Sequence, residues 1–262
     1  MLPQDTLIQI MDTIILVTVL LINIEFFTQK KLYSSEGLLN WQILKYHRNS
    51  YHNSFTRSIT SFILKKKIAY FNFLSICVCT LLLSGFINSS LVISLLKASL
   101  LIILFLIYFR SPYGQDGADQ AIMILLIASI FISAFNKPHI TKLILWFLTM
   151  QICLSYFTAG YFKLISKDWR NGEHLKGILF TEIYGNVHMA LNFNKTTFKI
   201  LSIVVIGFEV LFPLILIMPN SYVIIFLAIG FTFHLANAFI MGLNTFLLSF
   251  SAFYPAVLYC LY

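Results

Sequence analysis

Long apolar runs separated by polar breaks dominate this chain. The first run is Leu7 to Phe27, and a polar, basic loop over 28–67 follows it. The next are Ile68 to Ile87, Leu91 to Phe109, Asp119 to Phe135 and Thr141 to Ile165. A second polar loop, 166–199, precedes Ile200 to Met218, Tyr222 to Met241, and a last run from Leu243 to the C-terminus. A helix crosses hydrocarbon with about 20 apolar residues. These runs meet that length, and they are continuous rather than alternating, which selects helices over the strands of a barrel. The pattern predicts an all-α, polytopic integral membrane bundle of about eight transmembrane helices. Pro213 and Pro255 fall inside spans and are expected to kink them. No internal repeat and no separate soluble domain is visible, so 1–262 reads as a single transmembrane domain.

Composition narrows the class further. Hydrophobic residues make up 59% of the 262, charged residues only 11%, and mean hydropathy is +0.85. A soluble domain is about one quarter charged. The formal charge of +8 would point a soluble protein towards nucleic acid. Here the basic residues cluster between spans, so the expected partner is the lipid bilayer and its anionic headgroups, not nucleic acid. Cys77, Cys79, Cys153 and Cys260 all lie in apolar runs and read as small hydrophobic side chains, with no metal site expected. No secretory cleavage pattern precedes the first span, which is expected to be retained. The expected location is the cell membrane, as a multi-pass protein.

With eight spans, alternate loops share a face. The turn holding Asp116 and Asp119, the mouth of the fifth span with Lys163, Asp168 and Trp169, and the late part of the seventh span with His234 and Asn237 then gather at one end. Asn23 and Glu25 join them from the first span. The opposite face carries only Asn88, the NKPH turn with Lys142, and Pro219-Asn220. Ionisable groups within spans are costly and mark functional sites by default. Each also has a structural reading. Lys163 suits a snorkelling anchor, Trp169 an interfacial belt, and Asp119 a helix cap. His234, with Asn237 one turn on, suits an interhelical hydrogen bond. Glu209, in IGFEVLFPL, must be protonated or paired with a base such as His234 or Lys163.

Two strings add a resemblance. YFTAGYFKLISKDW, through Tyr156, Phe157, Ala159, Gly160, Lys163, Leu164, Asp168 and Trp169, resembles a segment of the vitamin K-dependent gamma-glutamyl carboxylases. FHLANAFIMGLNTF resembles a second segment through His234, Asn237, Gly242 and Phe246. KLYSSEGLL and the turn before the fourth span match more weakly. The chain is similar to bacterial members of the HTTM group, small membrane proteins related to the transmembrane domain of that carboxylase.

The resemblance implies that Lys163 is the base that takes a proton from a reduced quinone, a vitamin K-like cofactor. Loss of water from the ammonium at a membrane edge favours the neutral amine such a base needs. It implies His234 and Asp119 as further catalytic residues, and Asn237, Trp169, Asp168, Glu209 and Gln120 as substrate or cofactor contacts. The chain departs from the family in two places. DGADQ stands where the family has a histidine, so Asp119 or Gln120 would have to serve, and Phe162 replaces the first lysine of a pair. The sequence given ends after the last span, without the extramembrane domain of the carboxylases. Carboxylation alone is therefore not expected, and the expected role is maturation of a secreted bacterial peptide toxin with a small accessory protein. That is the role of the similar membrane protein that matures a sporulation-delaying toxin. Two other readings stand beside it: a non-catalytic scaffold or immunity protein, and a DoxX-like quinone-linked oxidoreductase subunit, for which about eight spans is too many. The basic loops place the polar end in the cytoplasm by the positive-inside rule. The resemblance places it on the other side, which is the orientation expected here.

Overall fold

A computed structural model of the protein describes residues 3–28, 30–33, 37, 40, 68–110, 116–181, 185 and 190–262. Most of the basic loop over 28–67, with much of KLYSSEGLL, and most of the turn before the fourth span lie outside the described residues. The elements are helical throughout: α1 (Gln4–Thr28), α2 (Ile68–Leu83), α3 (Ser90–Arg110), α4 (Gly117–Phe135), α5 (Pro138–Ile165), α6 (Lys167–Arg170), α7 (Glu173–Leu179), α8 (Lys195–Leu211), α9 (Asn220–Met241), α10 (Asn244–Ser251) and α11 (Tyr254–Leu261). Among the described residues, seven helical stretches are long and apolar enough to cross a membrane, α10 and α11 together forming one of them. The all-α polytopic architecture is as the hydrophobic pattern requires.

Local chemistry sets the helix ends and shifts several of them. The second span is a helix of 16 residues that stops at Leu83, four short of the expected Ile87. Gly85 follows with a φ of 71°, a left-handed conformation that turns the chain out of the helix. At the other end of the bundle sequence, α8 begins at Lys195 rather than Ile200, because the Asn194 side chain accepts the Thr197 N–H at 2.8 Å. Pro213 ends α8 and starts a 3-10 turn over Phe212–Leu216, and Pro255 opens α11 after a break at Ala252–Phe253. Both expected kinks are thus breaks, since proline removes a helical donor and clashes with the preceding turn.

The chain divides into two compact units, one of residues Asp12–Thr141 and one of Met1–Met11 with Lys142–Tyr262. In the first unit α3 packs on α2 and α4. Val19, Leu100, Leu104, Ile122, Leu125 and Leu126 are fully buried there. Inside this apolar packing lies a charged cluster. Lys97 Nζ donates to Asp12 Oδ2 at 2.7 Å and to Ser133 Oγ at 2.8 Å, while Ser129 donates to Asp12 Oδ1. Lys97 is 3% exposed. Neither Asp12 nor Lys97 is among the residues that the sequence pattern marks as a candidate site. The charges were visible in QIMDTIIL and SLLKASLL, but each looked isolated in its own run. Asn23, further along α1, donates to Ser75 Oγ at 3.0 Å.

Asp116 and Asp119 close a capping box on α4. Asp116 accepts from the N–H groups of Ala118 and Asp119, and the Asp119 side chain accepts the Asp116 N–H at 3.0 Å. Burial, and then the charge of Asp119, push the Asp116 carboxyl above its ordinary value. A carboxyl raised on folding supports the fold while protonated. Its contribution is complete below the ordinary value of 3.8 and is lost as pH rises through the folded value. Asp116→Asn keeps a capping oxygen without the charge. It is expected to melt at or above the wild type at pH 7, with the difference vanishing below pH ~4. Asp116→Ala loses the cap and is expected to cost about 1 kcal/mol at either pH. Thermal unfolding in detergent at the two pH values checks this.

Candidate functional site

The last turns of α5 assemble a polar ladder in the second unit. Tyr156, Gly160 and Lys163 recur at the spacing that puts side chains on one helical face. Across from them α8 presents Ser202 and Glu209, seven residues apart, also on one face. Lys163 Nζ donates to Glu209 Oε1 in an ion pair. Glu209 is 3% exposed, whereas the Lys163 side chain is 20% exposed. The pair is therefore buried at the carboxylate and reachable at the amine. Gly160 allows the approach: a Cβ there would stand 2.7 Å from Glu209 Cβ and from the Val210 backbone nitrogen. Any larger residue would drive α5 off α8.

Trp169 covers the pair. Its ring centroid lies 5.2 Å from Lys163 Nζ, a cation–π distance. Two bonds hold the Trp169 main chain in place. Ser166 caps α6 by accepting the Trp169 N–H at 3.4 Å, and Ser202 on α8 donates to the Trp169 carbonyl. The DW turn of the motif is thus a short helix fastened to α8.

A second contact lies about two turns deeper along α5. Tyr156 Oη and His234 Nε2 are 2.8 Å apart, and each residue is 2% exposed. The imidazole stacks on Phe250, with centroids 4.5 Å apart. Gly230, one turn before His234, leaves room for two hydroxyls: a Cβ there would meet Tyr254 Oη at 2.7 Å and Tyr156 Oη at 3.1 Å. Among the described residues, Glu209 Oε2 and His234 Nδ1 are buried without a hydrogen-bond partner. Leaving such an atom unmade costs about 1–3 kcal/mol. Two of them on neighbouring rungs of one ladder make the arrangement suited to a hydrogen-bonding ligand.

The structure thus brings together Lys163, Glu209, Trp169 and His234, and it resolves the choice at Glu209 in favour of Lys163. Tyr156 and Ser202 join them. Tyr156 stood in the matched string without a role, and Ser202 carried no signal in the sequence. Asn237 is half-buried one turn beyond His234. Asp168 is exposed in the first turn of α6, where a negative charge suits the helix dipole. Asp119 and Gln120 belong to the first unit, Asp119 engaged in its capping box and Gln120 exposed.

These features define a multi-pass helical membrane protein with a polar site built inside its spans. A family model described as the HTTM domain matches residues 120–260, and the chain belongs to that family. Both strings that carry the resemblance lie within the matched residues. No curated protein and no solved structure matches the chain.

Proposed function

We propose that this protein is a carboxylase-like proton-transfer enzyme of the cell membrane. In this reading it acts with a small accessory protein in the maturation of a secreted peptide, and its cofactor is a reduced quinone. One observation carries the reading: the Lys163–Glu209 pair, buried at the carboxylate and open at the amine. The pair holds one proton between two groups and has room for one more. When a substrate hydroxyl meets the amine, Lys163 passes a proton to Glu209 and takes the hydroxyl proton in its place; Glu209 ends neutral and Lys163 ends charged beside the anion produced, so charge is conserved. A quinol would supply the acidic ring hydroxyl. The residues suit such a ligand: the partly exposed Lys163 amine can meet the hydroxyl, and the exposed Phe157, Tyr161, Phe162 and Leu164 give an apolar approach. Trp169 lies where it would stack on a flat ring.

The competing reading is a non-catalytic scaffold, favoured by the balance of charge in the ion pair. Fluorescence separates them. In lipid nanodiscs a vitamin K-like naphthoquinol is expected to quench tryptophan emission saturably, and Trp169→Phe is expected to remove that component. Quenching that rises linearly with quinol, or is unchanged in Trp169→Phe, overturns the quinol site.

A further inference from the structure

The corner formed by α6, α7 and the start of α8 contains a cavity unconnected with the ion pair's chemistry. It measures about 80 Å³ and is lined by Asn171, Glu173, Lys176, Phe193, Lys195 and Phe198. Its floor is rigid. Phe198 is buried, Phe193 meets it edge-on at 5.6 Å, and both belong to a small core with Leu175, Leu179, Ala190 and Ile240. Gly172 fixes the bend above it, with a φ of 79° and a position where a Cβ would stand 2.5 Å from the Phe198 carbonyl carbon.

The rim is cationic. Lys195 pairs loosely with Glu173 at 3.8 Å, with both side chains largely in solvent. Such an exposed pair is worth little and neutralises little. Lys176, also exposed, makes no salt bridge among the described residues. Lys167, Arg170 and Lys199 stand nearby in sequence, opposed only by Asp168 and Glu173 among the described residues of this segment. In sequence the corner lies between the end of the α5 span and the start of the α8 span, and Ile165, Phe180, Leu191 and Ile200 of this stretch are exposed. A cationic rim, an aromatic floor and an apolar surround match one chemistry: a phosphate joined to acyl chains.

We propose that this corner binds the headgroup phosphate of an anionic phospholipid. Lys176 and Lys195 meet the charge, and the Phe193–Phe198 floor receives the glycerol carbons. The cavity is large enough to admit a phosphate. Each lysine close to an anionic surface contributes about 1 kcal/mol, so removing both is expected to weaken binding about thirtyfold.

Native mass spectrometry of the purified protein reads this directly. With phosphatidylglycerol and phosphatidylcholine offered in equal amounts, the wild type is expected to retain phosphatidylglycerol preferentially. Lys176→Ala with Lys195→Ala is expected to lose that preference, while Lys137→Ala with Lys142→Ala keeps it. All four lysines are on the surface of the helix ends, so both double variants are expected to fold. Equal retention of the two lipids, or a preference untouched by the first double variant, overturns the proposal. So does loss of the preference in both double variants, which would mark a general charge effect. An excess of inorganic phosphate that displaces the lipid completely would reassign the site to a free anion and overturn the lipid assignment.

Discussion

Lys163→Arg is expected to insert at normal abundance and to be as inactive as Lys163→Ala, each at least a hundredfold below the wild type. An anchor or a fixed charge needs only length and a positive end, and arginine supplies both. A group that trades protons with a substrate must release one, and arginine, with a pKa above about 12, does not. General acid–base groups contribute about 10² to 10⁴ in rate, which sets the size of the loss. Lys163→Ala alone is an ambiguous control, because it strands the buried Glu209 carboxylate. The double variant Lys163→Ala with Glu209→Gln removes both charges and is expected to recover abundance without activity. Maturation of the proposed peptide substrate, measured beside protein level, decides the matter. Full activity in Lys163→Arg would make the lysine a fixed cation and leave the scaffold reading standing.

The largest stability effect is expected elsewhere, at Asp12 and Lys97. Lys97 lies eight residues into α3, about 10 Å along the helix from its start. Its ammonium is enclosed by Asp12, Ser133 and apolar helix surface. Lys97→Met leaves the Asp12 carboxylate without its counter-charge and is expected to cost about 3–5 kcal/mol. Asp12→Leu alone leaves a buried ammonium and is expected to cost about as much. The two together remove the pair and keep the packing, so the double variant is expected to lie within about 1 kcal/mol of the wild type. A double-mutant cycle of thermal stabilities in detergent measures the coupling. Additive losses would show that the two charges act independently.

The architecture was legible because hydrocarbon imposes a length and a polarity on every span, and both are one-dimensional properties of the chain. The runs beginning near Leu7, Leu91, Asp119 and Tyr222 became α1, α3, α4 and α9 within a few residues. The ends that moved did so through single residues whose role is conformational: Gly85 stops α2, Asn194 starts α8, and the prolines break spans that hydropathy reads as continuous. The candidate site was partly legible for a different reason. Lys163, Trp169, Glu209 and His234 are polar residues in or beside apolar runs, and the cost of placing them there makes each conspicuous.

What the sequence determined by itself is membership: a helical membrane protein of the HTTM family, with its costly polar residues countable one by one. Which of those residues meet was decided by tertiary structure. Glu209 could have paired with His234 or Lys163. It pairs with Lys163 because Gly160 lets α5 and α8 approach closely, and His234 turns instead to Tyr156 beneath Gly230. Asp12 and Lys97 stand 85 residues apart and are neutral as a pair only because α1 and α3 bring them together. A charge's cost is set by its own burial and can be read along the chain, whereas its compensation depends on a partner from another helix, and helix packing alone supplies that.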